Sequence, residues 1–114
     1  MKHWRLREIE TPEGSRSPVV LHSAAEARAV LVGLGPGQEL GEHQVKENAY
    51  VLVVDGEARV EAGADAQDAG PGELFAFAPD ETRRISTRSG ARLLLFLAPW
   101  PGEGHYRGQE RELS

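Results

Sequence analysis

The 114 residues contain no cysteine, so disulfides, thiolate nucleophiles and zinc–thiolate centres are excluded at once. Aromatic residues are scarce: two tryptophans, two tyrosines and three phenylalanines. Any stacking surface must therefore come from a few named positions. Lysine occurs only at Lys2 and Lys46, against eleven arginines, a bias read as genomic. Acids outnumber bases 18 to 13, for a net charge of −5, and the basic face that a nucleic-acid groove needs is missing. The strongest apolar run, residues 93–98, is far short of a membrane span. No apolar stretch follows the charged N-terminus to act as a signal segment. The expectation is a cytoplasmic protein with neither a nucleic-acid nor a membrane partner. No segment sustains a helical period.

What is present is a series of short apolar or alternating runs separated by Gly, Pro and Asp, the pattern of an all-β sandwich or barrel. Strands are predicted over residues 18–22, 27–34, 41–45, 50–54, 57–62, 74–78, 84–88 and 91–98. Gly35-Pro36-Gly37 reads as a turn, and Lys46-Glu47-Asn48 as the polar end of a strand. Asp55-Gly56 stands between two strand-like runs and predicts a hairpin, because both positions favour residues tolerant of positive φ. Residues 63–72 read as a loop. Ser23, with Glu26 three residues on, is placed to cap one helical turn over residues 23–28. The length suits a single domain: an N-terminal leader at 1–17, a barrel at 18–98, and a Gly- and charge-rich tail at 99–114 with a mobile end.

The spacing of residues 37–56 carries a more specific signal. Gly37 is followed five residues later by His43, then by Val45, Ala49 and Gly56. This resembles the first cupin motif, G-x5-H-x-H-x3-E-x6-G. The second motif, G-x5-P-x-G-x2-H-x3-N, falls on Gly72, Ala78, Asp80, Arg83 and Thr87, and only its glycine is kept. The resemblance covers roughly residues 18–98 and is to small single-domain bacterial cupins of the cupin-2 type. It implies an all-β, antiparallel cupin double-stranded β-helix: an RmlC-like jelly-roll barrel. It also implies a homodimer, often with an N-terminal strand added to the partner's sheet, a part that residues 18–21 suit.

In the cupins two histidines and a carboxylate of the first motif and a histidine of the second commonly hold a divalent metal. Those positions here are His43, Val45, Ala49 and Arg83. Val45 and Ala49 offer no donor atom and Arg83 is a cation, whereas a divalent ion needs several neutral or anionic donors. No metal and no other cofactor is expected. Glu47 is read as a surface acid in a turn.

The expected function is a metal-free binding module for a small anionic or aromatic metabolite. Its pocket would be lined by His43, Val45, Ala49, Arg83, Phe75, Phe77 and Phe96. Arg83 would clamp a carboxylate, phosphate or enolate oxygen; the alternative is that it pairs with Glu81, Glu47 or Glu73. A slip of one residue would instead turn Arg84 inward. A second reading is a metal-independent isomerase or epimerase with His43 as catalytic base. A metal-dependent oxygenase ranks below both. Residues such as Phe75, Phe77 and Phe96 are more often simply core. Tyr50 should point away from Ala49, and Trp100 is a candidate cover for the barrel mouth.

Overall fold

The computed structural model describes residues 1–11, 18–24, 27–43 and 45–99, with the side chains of Glu42 and His43 outside the description. The described residues form nine strands: β1 (Val19–Ala24), β2 (Ala27–Leu34), β3 (Glu39–His43), β4 (Asn48–Gly56), β5 (Ala58–Ala62), β6 (Asp65–Ala69), β7 (Leu74–Phe77), β8 (Arg83–Ser86) and β9 (Ala91–Ala98). A five-stranded sheet has the order β1-β2-β9-β4-β7 and a four-stranded sheet the order β3-β8-β5-β6. The strand pairs are antiparallel. No described helix is long and apolar enough to cross a membrane.

Phase along each strand decides what fills the space between the sheets. In β9 Ala91, Leu93, Leu95 and Leu97 are buried, and in β4 Ala49, Val51 and Val53. Val30, Val32 and Leu34 of β2 join them, as do Val60, Phe77 and Ile85. Each fully buried leucine or valine contributes about 1.5–3 kcal/mol. A one-residue slip would turn the whole set outward, so the register is strongly fixed.

Five expectations need correction. Residues 65–69, read as loop, form β6, which pairs with β5 from Ala58↔Ala69 to Ala62↔Asp65. The turn between them is Gly63-Ala64, with Gly63 at φ 59°. Asp55-Gly56 is not a hairpin. β4 pairs with β7 and β9, whereas β5 pairs with β6 and β8, so here the chain crosses from one sheet to the other. Over residues 23–28, Ser23 pairs with Arg28 and Ala24 with Ala27 as strands; residues 25–26 lie outside the description. β3 spans Glu39–His43 rather than 41–45, and β8 begins at Arg83.

The N-terminal segment lies against the outer face of the five-stranded sheet. Arg92 Nη1 donates to the carbonyls of Leu6, at 2.7 Å, and Ile9. Trp100 and the rest of the tail lie outside the described residues.

Candidate functional site

The expected ligand positions come together at one end of the barrel. β3 and β8 pair with His43 opposite Arg83. Arg83 and Ile85 face inward, and Arg83 is only 3% exposed. Arg84 faces out, where its guanidinium meets Glu39 Oε2 at 2.8 Å. Alternation along β8 therefore selects Arg83 as the interior arginine. Val45, just before β4, and Ala49 within it are buried in the core, and Ala49 pairs with Phe77.

The Arg83 guanidinium reaches across the gap between the sheets. Its Cζ lies 5.4 Å from the centre of the Phe77 ring, within reach of a cation–π attraction. Among the described residues no carboxylate lies within ion-pairing distance of it, and its Nη1 is buried without a hydrogen-bond partner. The acids expected as alternatives are otherwise placed. Glu73 Oε2 accepts from Gly70 N at 2.6 Å and Glu81 Oε1 from Ala78 N at 3.0 Å. Burial lowers the Arg83 pKa to about 10, with the nearby Glu81 charge pulling the other way. The group thus stays protonated at neutral pH. Glu81, beyond ion-pairing distance, compensates the buried cation only in part, and burial of an incompletely paired charge costs stability.

The reading of Glu47 as a surface acid is overturned: it is 0% exposed. Val45, Glu47, Ala49, Val51 and Val53 are all buried, whereas Lys46 and Tyr50 are exposed. The inward phase of β4 thus continues back through the polar triplet. That phase was the signal in the sequence that would have found Glu47. The loop before Arg83 is tied to the same segment. Asp80 N donates to Val45 O at 2.8 Å, and Lys46 Nζ meets Asp80 Oδ1 at 2.8 Å. Asp80 sits at φ 65°, a conformation that Asp tolerates better than most residues.

Phe75 and Phe77 line a cavity of about 410 Å³ between β5, β6 and β7, together with Val60, Ala62 and Glu81. Phe96 does not join them. With Leu95 and Leu97 inward, Phe96 faces out, is 40% exposed, and packs on Tyr50 with ring centres 6.4 Å apart. A larger hollow of about 800 Å³ lies over Glu57, Arg59, Asp68 and Ser86–Ser89. Within it Arg59 meets Asp68 and, beside it, Glu61, and Glu57 binds the loop beneath it. The side chain of His43 lies outside the described residues, and with it the expected histidine base.

The donor set does not fit a divalent ion. Two of the four motif positions are hydrocarbon and a third is a buried cation. Glu47 adds one carboxylate, but no three His, Cys, Asp or Glu among the described residues are grouped to hold a metal.

No family model and no curated protein matches this sequence. Solved structures do. An RmlC-like cupin protein from Desulfovibrio desulfuricans superposes with a TM-score of 0.77 at 20% identity, over 87% of this chain and 97% of that one. The fold is a cupin fold. An RmlC-like cupin from Shewanella frigidimarina gives 0.74 at 20% identity, over 89% and 94% of the two chains. The cupin domain of Schizosaccharomyces pombe Cnp3 gives 0.74 at 16% identity, over 85% and 68%. At such identities the likeness shows the cupin architecture and leaves the activity to the residues.

Proposed function

We propose that this cupin barrel is a metal-independent receptacle for a small anion, held by Arg83. The observation that carries the proposal is a guanidinium 97% removed from solvent, with a buried N–H that meets no acceptor among the described residues. Left without an anion, that group destabilises the fold. An incoming carboxylate, phosphate or enolate oxygen would supply the counter-charge and accept two parallel N–H bonds. The Phe77 ring, with its centre 5.4 Å from Cζ, packs against the guanidinium. The cavity along Phe75 and Phe77, which also takes in Asp65, Gln67 and Glu81, neighbours the guanidinium only through the shared Phe77 ring.

The test is a thermal-shift series with small carboxylates, phosphate and sugar phosphates on the wild type and Arg83→Met. At a hundredfold excess over Kd, a ligand stabilises by about 2.7 kcal/mol. That corresponds to a rise in Tm on the order of 10 °C for a domain of this size. Replacing a buried charge by a similar apolar volume is often neutral or stabilising. Arg83→Met should therefore melt at or above the wild-type temperature without ligand and lose the anion-induced rise. A rise that persists in Arg83→Met, or no response from the wild type to any anion, defeats the proposal.

A further inference from the structure

The two sheets differ in what they turn outward. On the four-stranded sheet, charged side chains point out and pair with one another: Arg59 meets Asp68 and Glu61, and Arg84 meets Glu39. That is the composition of a face in contact with water. The five-stranded sheet carries two unbroken rows of another kind. In one, Val19, Leu31, Leu94, Leu52 and Leu74 stand side by side across all five strands. In the next, His22, Ala29, Phe96, Tyr50 and Ala76 do the same. None of these positions holds Asp, Glu, Lys or Arg.

Much of this surface is open. Leu31 is fully buried, but Leu74 is 65% exposed, Phe96 40% and Tyr50 39%. The Tyr50 and Phe96 rings lie 6.4 Å apart. Trp4, itself exposed, extends the second row beside His22, with ring centres 6.1 Å apart. Of the large hydrophobic residues exposed among the described ones, only Met1 and Val20 lie elsewhere. Single apolar side chains on a surface are ordinary. A contiguous apolar patch marks an interaction site.

We propose that a second copy of this chain docks here, the outer face of one five-stranded sheet against that of the other, about a two-fold axis. Charge selects this occupant. The two rows carry no Asp, Glu, Lys or Arg, so a partner steered by charge finds nothing to complement, whereas an apolar face complements itself and a two-fold sets identical patches together. Each copy has a net charge of −5, and this is the face on which two copies meet without setting carboxylates against carboxylates. The extent suffices. Five strands at about 4.8 Å make a face roughly 20 Å wide, and two such faces laid together bury on the order of 1,000 Å², the least expected of a specific interface. Tyr, Trp and Phe are the residue types enriched in such contacts. The contact is not the strand exchange that the motif resemblance implied, because it uses the face of the sheet, and β1 is already paired to β2 of its own chain. It is also independent of the anion site.

Sedimentation velocity on the full chain, from nanomolar to high micromolar concentration, tests this with the wild type, Phe96→Glu, Leu74→Glu and Arg59→Glu. The wild type should be a dimer at the upper end of the range. Phe96→Glu and Leu74→Glu place a carboxylate within the patch and should raise the dimer dissociation constant about a hundredfold or more. Arg59→Glu changes the outer face of the other sheet and should leave it unaltered. Circular dichroism checks that each variant is folded. Leu74, the more exposed of the two and in an edge strand, keeps the test valid where Phe96→Glu fails to fold. A wild type that stays monomeric throughout overturns the proposal and leaves the face to a different protein or to the chain's own tail. A dimer that survives both substitutions in folded chains, or that is lost equally in Arg59→Glu, overturns it by placing the contact elsewhere.

Discussion

Glu57 shows how a single acid ties down a loop. Its Oε1 accepts from Arg88 N at 2.7 Å, Ser89 N at 3.0 Å and Ser89 Oγ at 3.2 Å. The bonds from the Ser89 and Arg88 amides, foremost, hold its pKa below the ordinary value of 4.5. A carboxylate with a depressed folded pKa adds stability that is complete above the unfolded value and lost as pH falls through the folded one. Glu57→Gln should therefore melt below the wild type at pH 7, and the gap should narrow on acidification from about pH 5 downward. A gap that stays constant from pH 7 to pH 3 would show that the charge plays no part. At this scale the sequence was legible wherever motif spacing fixed a position. Arg83 fell on a ligand position and does face inward. Glu47 was hidden in Lys46-Glu47-Asn48 because polarity suggested a turn, although counting by twos from Val45 to Val53 places it inside. Phe96 was misplaced for a different reason. The run from Leu93 to Leu97 is apolar throughout, so it carries no period, and only its register with β4, Tyr50 opposite Phe96 and Ala49 opposite Leu97, reveals which face each side chain takes.

Between elements, the crossing from β4 to β5 depends on Gly56. Its φ is 79°, and a Cβ built there would stand 2.1 Å from the Gly90 carbonyl oxygen. The left-handed conformation alone costs a side-chain-bearing residue about 1–2 kcal/mol. The clash is with backbone, which cannot swing away as a flexible side chain would. Gly56→Ala should thus destabilise by about 2–4 kcal/mol, near the upper end for single substitutions. Gly37→Ala is the control: it has a similar φ of 79° but nothing within 4 Å of the added methyl, so it should lose only the conformational part. Equal losses in urea unfolding would mean that the contact at Gly90 has relaxed. The same position explains the failed hairpin. A positive φ is needed both by a hairpin turn and by a corner between sheets, so the local sequence cannot choose between them; partners distant in the chain do. The bounds of β2 and β9 were legible because both strands are long and largely apolar. β6 was not, because Asp65 to Asp68 are all exposed and only Ala69 enters the core.

For the molecule as a whole, the N-terminal segment adds a partial third layer. On β2 the inward set is Val30, Val32 and Leu34, which leaves Leu31 on the outer face, yet Leu31 is 0% exposed. Leu31 pairs with Leu94 in β9, two residues from Arg92, whose guanidinium holds the Leu6 and Ile9 carbonyls over that face. Arg7 Nη2 adds a long contact to Val54 O at 3.5 Å. Farther along the same face Tyr50 and Phe96 stay exposed, so cover is confined to the end that the segment reaches. Removing residues 1–11 would uncover Leu31 and release Arg92 from its acceptors. Exposing one buried leucine costs about 1.5–3 kcal/mol, and at a typical m-value that loss lowers the urea midpoint by about 1 M. The candidate site lies on the opposite, inward wall, so the ligand-induced rise through Arg83 should survive the deletion. A shortened chain with an unchanged midpoint would mean that Leu31 owes its burial to β1 alone, since Val19 stands opposite it in the sheet. Loss of the ligand response in a chain that still folds would instead mean that the outer layer holds the barrel end in shape through β9, which separates β2 from β4 and carries Arg92 on one face and Leu93, Leu95 and Leu97 on the other.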